Sequence, residues 1–109
     1  MVEQNSSLYL LVLLAISDHE LHKSEAVRIK QIAEELKIEF DPYDAVLEIK
    51  SEFKNDFNTA CDYYMSIIQD NRVKEASIEF MKEIAFADAK LRNTEIKFLE
   101  KCKKKWGIK

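Results

Sequence analysis

Four carboxylates recur in register along this chain. Asp18 and Glu25 stand seven residues apart, and Asp88 and Glu95 repeat the spacing seventy residues later. Carboxylate and carbonyl oxygens are the ligands that hard divalent cations prefer, so this set offers coordination of Ca²⁺, Mg²⁺ or Mn²⁺. A plainer reading competes with it. Each Asp ends a helix, where its side chain can accept backbone N–H groups two or three residues on. Each Glu opens the next helix, where negative charge meets unpaired N–H groups. The dipole of the helix it ends disfavours each Asp by about 0.3–1 kcal/mol, so turn N–H groups, a basic neighbour or a cation must offset that cost. One helical hairpin supplies too few oxygens for such an ion; both pairs would have to converge, or water would complete the shell.

Other residue types add less. His19 and His22 share the first break with Asp18, Glu20 and Glu25, a set that could hold Zn²⁺. The second copy has Ala89 and Arg92 at the matching places, so histidine is no part of the repeated plan. His22 reads more simply as a helix N-cap and His19 as a solvated side chain. Lys101, Lys103, Lys104 and Lys105 form the densest charge run. Lysines in a last turn complement the helix dipole, or they present a surface to an acidic protein or an anionic membrane. No aromatic platform or reading helix accompanies them, which argues against nucleic acid. Tyr9, Tyr43, Tyr63 and Tyr64 read either as the rim of a small core or as a docking patch. There is no Gly-rich phosphate loop, no nucleophile with a placed base, and no H-E-x-x-H zinc motif, because the two histidines are three apart. An enzyme is not expected.

The elements that position these residues come from the same repeat. Shifted by seventy, residues 85–108 fall on residues 15–38 without a gap: Ala15/Ala85, Asp18/Asp88, Leu21/Leu91, Glu25/Glu95 and Ile38/Ile108 are identical. Each copy reads as a helix, a short polar break with a leucine plug, and a second helix. The second copy closes at Trp106-Gly107-Ile108, with glycine for the left-handed turn, and Lys37 takes that place in the first. Phe80, Ile84, Ala87, Phe98, Leu99, Cys102 and Trp106 recur at the three- and four-residue spacings of a buried helical face.

In chain order, residues 1–7 read as a frayed polar start. A first helix over about 7–17 is apolar on nearly all sides and therefore central. The second covers 23 to about 37. Asp41-Pro42 is a strong start signal for a third, reaching about residue 54 with Val46, Leu47, Ile49 and Phe53 inward. A link over 55–58 follows, with Phe57 tucked beneath it. A fourth helix spans roughly 59–69 with Cys61, Tyr64, Met65 and Ile68 along one side. Asp70-Asn71 caps a fifth, which enters the second repeat. The expected fold is all-α: one domain over 1–109, a compact bundle of about six helices with two pseudo-equivalent hairpins.

Composition agrees. Glycine and proline occur once each in 109 residues, too few for the turns of a sheet protein. No apolar run reaches the length of a membrane span, and the stretch at 8–16 lacks a basic leader. Cys61 and Cys102 have no metal-type spacing and read as reduced core thiols of a cytoplasmic protein. Residues 1–70 carry 6 basic and 14 acidic side chains, a balance of −8, and residues 71–109 carry 11 and 6, a balance of +5. Such polarity favours a partner of opposite sign or head-to-tail self-association into a homodimer.

The repeated pattern Ala-x-x-Asp-x-x-Leu-x-x-x-Glu, followed each time by an apolar-periodic helix, resembles the TerB-like family of tellurite-resistance proteins, whose domains also occur in some J-domain co-chaperones. The family usually has Gly after the Asp, where this chain has His19 and Ala89. The resemblance implies a helical binding module, without catalysis, in a bacterial stress-response or membrane-linked assembly. It also implies a divalent cation held by acids at the positions of Asp18, Glu25, Asp88 and Glu95. The reading of a different class is a metal-free structural or adaptor bundle whose acids only cap turns.

Overall fold

The computed structural model describes residues 2–18, 21–87 and 93–108. Helix α1 (Val2–Ala15) runs into a single 3-10 turn (Ile16–Asp18), and α2 (Lys23–Glu35) returns from it. Then come α3 (Pro42–Phe53), α4 (Phe57–Ile67), α5 (Asn71–Ala87) and α6 (Asn93–Trp106). Among the described residues there is no strand. Helix α1 is the axis of the bundle. Leu8, Leu10, Leu11, Val12, Leu13 and Leu14 are all buried, so it is covered on every side, and it packs on each of the other five helices. A helix without a polar face has no other stable place.

The two hairpins, α1–α2 and α5–α6, are related by a pseudo-twofold axis. Packing of α1 on α2 has its counterpart in α5 on α6, and packing of α2 on α5 has its counterpart in α6 on α1. A residue can touch its own counterpart only on such an axis. Ser7 and Ser77, seventy apart, do so: their buried hydroxyls share a hydrogen bond of 2.6 Å between α1 and α5. The helix ends repeat as well. Lys37 N donates to Glu34 O and Ile38 N to Ala33 O; Gly107 N donates to Lys104 O and Ile108 N to Lys103 O. Both pairs close a left-handed C-terminal turn, at φ 59° for Lys37 and 69° for Gly107.

Several boundaries differ from the sequence reading, for local reasons. Helix α1 begins at Val2 rather than near Ser7. Ser6 and Ser7 are buried, and the Glu3 carboxylate accepts from the backbone N–H of Gln69 and from that of Asp70 at 2.9 Å. An acid on the first helix thus satisfies N–H groups leading into α5. Helix α4 begins at Phe57 rather than Thr59, because Asp56 is its N-cap and accepts from Thr59 N and Oγ1 at 3.1 and 2.7 Å. Phe57 is therefore the first helical residue, half-buried. Helix α3 starts as expected, with Asp41 accepting from Tyr43 N at 2.9 Å and Pro42 following. Its inward line is Pro42, Ala45 and Ile49, and Leu47, expected inward, is 67% exposed. Two residues beyond Ala45 is about 200° of helical turn, which puts Leu47 on the outer face.

The paired C-termini give a stability test. A side chain in the left-handed region is strained by roughly 1 kcal/mol, and glycine is not. Lys37→Gly should therefore raise unfolding free energy by about 0.5–1 kcal/mol in urea denaturation. Gly107→Ala should lower it by a similar amount although nothing lies within 4 Å of the added Cβ.

Candidate functional site

The second pair of residues to meet its counterpart across the pseudo-twofold is Glu25 with Glu95. Each is the third residue of its helix, α2 and α6. That position faces inward in both helices. Both side chains have no exposed surface. The Glu95 carboxyl lies close enough to Glu25 to share a proton with it. Neither oxygen of Glu25 meets a hydrogen-bond donor of good geometry among the described residues.

Burial, first, and then the adjacent Glu95 carboxyl, by hydrogen bond and by charge, push the Glu25 pKa up to about 9. The nearby N-cap residue His22 acts weakly the other way, through its backbone N–H and its imidazole. At neutral pH, without a cation, Glu25 therefore keeps its proton. The N-cap backbone of His22 is extended, as an N-cap requires, and its side chain makes no capping hydrogen bond.

The other two acids flank this pair in sequence. Asp18 closes the 3-10 turn after α1, and its side chain is outside the described set. Asp88 lies outside the described residues, as do His19, Glu20, Ala89 and Arg92, so the histidine cluster falls there too. Among the described residues no group of three or more metal-ligating side chains comes together. What the described part contributes is two buried carboxyls meeting at one point, an arrangement whose negative charge calls for a proton or a cation. The donor set is all oxygen, which fits a hard divalent ion and not a soft one.

The lysine run is divided between two uses. Lys101 Nζ donates to Asn58 Oδ1 at 3.1 Å, and Lys105 Nζ pairs with Asp62 Oδ1 at 2.5 Å, so these two, one turn apart, bind α6 to α4. Lys103 is half-buried and Lys104 exposed. Cys61 and Cys102 are buried free thiols, as expected. Tyr64 is core and Tyr9 half-buried, while Tyr43 and Tyr63 reach the surface.

A family model described as tellurite resistance protein TerB matches residues 4–109, nearly the whole chain. The chain belongs to the TerB family. No curated protein and no solved structure matches it. The TerB match spans all six helices, including α3 and α4, which carry none of the repeated acids. TerB domains are in general non-catalytic helical domains. Among the described residues no helix is long and apolar enough to cross a membrane.

The Glu25 carboxyl gives the metal-free protein a pH signature. An acid whose pKa is higher folded than unfolded binds more protons when folded, so stability falls as pH rises between the two values. For Glu25 that window runs from its ordinary value near 4.5 to about 9. In EDTA, unfolding free energy should fall through this range, by up to roughly 1.4 kcal/mol per pH unit for one proton. Glu25→Gln should flatten the slope, which denaturant melts at pH 5, 7 and 9 would read.

Proposed function

We propose that this TerB domain is a non-enzymatic binding module whose two hairpins are joined by a divalent cation, Ca²⁺, Mg²⁺ or Mn²⁺. Glu25 and Glu95 would hold it from the core side and Asp18 and Asp88 from the two breaks. The observation that carries this reading is the meeting of two buried carboxyls from helices seventy residues apart. A cation there would replace the proton of Glu25 and neutralise both acids at once. Because the pair sits where α2 and α6 approach, occupancy would fix one hairpin relative to the other and hence the surface they present together. We place the module in the cytoplasm, in a stress-response or membrane-linked assembly. Its partner would dock by charge: an acidic protein, an anionic membrane surface or a second copy of the chain meeting Lys103 and Lys104, since Lys101 and Lys105 of the same run are held on α4. No role in binding nucleic acid is proposed.

A second reading has its own support. The contact between the Glu25 and Glu95 carboxyls also suits a single shared proton, which would leave a metal-free adaptor bundle with acids at its turns.

Cation and proton are distinguishable. Thermal melts at pH 7 with Ca²⁺, Mg²⁺ or Mn²⁺ should show stabilisation of roughly 2.7 kcal/mol at a hundred times the dissociation constant. Calorimetry in buffers of different ionisation enthalpy should register about one proton released per ion bound. Glu25→Gln and Glu95→Gln should abolish both effects, and Asp18→Asn and Asp88→Asn should weaken the binding. No stabilisation and no proton release with any of the three ions would leave the adaptor reading.

A further inference from the structure

A second polar site lies on α1, α3 and α4 and shares no residue with the cation site. A cavity of about 240 Å³ opens there, lined by Ser6, Tyr9, Glu48, Glu52, Tyr63 and Tyr64 among others. Its walls are aromatic. The rings of Tyr9 and Tyr64 stack with centroids 4.8 Å apart, and Tyr63 meets Tyr64 edge-on at 5.2 Å.

Its rim is acidic. Glu48 and Glu52 line it from α3, and Asp44 precedes them by one turn on the same outer face, beyond the cavity, a like-charge line that weakens a helix by roughly 0.2–0.5 kcal/mol per pair. None of the three has an ion pair among the described residues; Glu48 accepts only from the Tyr9 hydroxyl.

Two nearly buried polar side chains complete the lining. Ser6 is 4% exposed and Tyr64 5%, and neither hydroxyl has a hydrogen-bond partner among the described residues. Tyr64 lines the cavity beside Glu48 and Glu52, and burial with the charges of Glu52 and Glu48 pushes its pKa up to about 12. Carboxylates without counterions, free hydroxyls and tyrosine walls make a receptor for an organic cation. The acids supply charge-assisted acceptors, and the rings cover an alkyl stem and attract the positive head. The volume is below that of a pocket for a drug-sized ligand and suits a single side-chain head or a small linear amine.

We propose that this cavity binds an alkylammonium or alkylguanidinium group, with Glu48 and Glu52 on the charge, Ser6 and Tyr64 as further acceptors, and Tyr63 along the stem. The group comes either from a lysine or arginine of a partner protein or from a free amine. Glu48 and Glu52, exposed and without ion pairs among the described residues, attract such cations to the cavity mouth.

The test is a titration of the ¹⁵N-labelled full chain with n-butylamine, agmatine and a short peptide containing lysine and arginine. N-butylacetamide serves as neutral control and Ca²⁺ as an inorganic competitor. Saturable shifts at the amides of Asn5, Ser6, Tyr63 and Tyr64 are expected with the cations and not with the neutral control. Tighter binding of the peptide identifies a protein partner as the source, and equal binding identifies a free amine. Glu52→Lys, at an exposed position without an ion pair, keeps the helical circular dichroism, leaves the melting temperature the same or slightly higher because it relieves the like-charge line on α3, and weakens binding by roughly tenfold or more. Shifts that fail to saturate, that the neutral control reproduces, that Ca²⁺ alone produces, or that survive Glu52→Lys unchanged would overturn the proposal.

Discussion

A carboxyl placed in a helical core against a second carboxyl cannot leave both charged. Taking one ion out of water costs several kcal/mol, and a like neighbour adds to that cost. Glu25 and Glu95 set this constraint at the point where the two halves of the molecule meet. The rest of the bundle is arranged around it. Burying the pair requires α2 and α6 to approach by their first turns. That in turn requires α1 and α5, which deliver them, to pack side by side, and the Ser7–Ser77 hydrogen bond marks that second contact. The all-round apolar surface of α1 makes the approach favourable. Leaving Leu8, Leu10, Leu11, Val12, Leu13 and Leu14 exposed to water would forfeit the burial that each of these side chains contributes.

Symmetry makes the acid pair more than a local curiosity. On a pseudo-twofold axis both carboxyls inherit the same backbone setting, the third position of a helix. Ordinary asymmetry, in which one acid is buried and its partner solvated, is not open to them. Whatever resolves their charge has to serve both at once, which a shared proton or a cation between them does. Either resolution links the state of one small site to the relative placement of two hairpins, which is one way a helical module can respond to its surroundings.

Much of this was legible in the residues. The offset of seventy gave the paired helices and their matching C-terminal turns, because each depends on local signals: an N-cap, a glycine, an apolar stripe. Asp41-Pro42 and Gly107 acted as such signals do. What escaped was whatever rests on contact between distant segments. Glu25 and Glu95 read as helix-start acids, and in position they are; only the packing of α2 near α6 turns that position into a core. The start of α1 was missed because Val2–Ser7 looks polar, yet Glu3 is held by the backbone before α5 and Ser7 by its counterpart on α5. Leu47 is apolar yet exposed, because it stands about 200° of helical turn from buried Ala45. Tyr9 and Tyr64, far apart in sequence, stack on each other, and no pattern in either segment announces it.

The acids of this chain thus fall into two groups that water treats in opposite ways. Glu25 and Glu95 are removed from solvent, so their affinity for a counter-charge is strong, short-ranged and little affected by salt. Asp44, Glu48 and Glu52 stay at the surface of α3, where attraction reaches further and salt weakens it. A buried acid pair suits a small, hard ion that must be stripped of water to enter. An acidic line beside tyrosine rings suits a larger organic cation that keeps part of its hydration and gains contact with the rings. On the two proposals, the same residue type would therefore take different ligands in the two settings. Burial makes that selection, and burial is decided by how the hairpins pack.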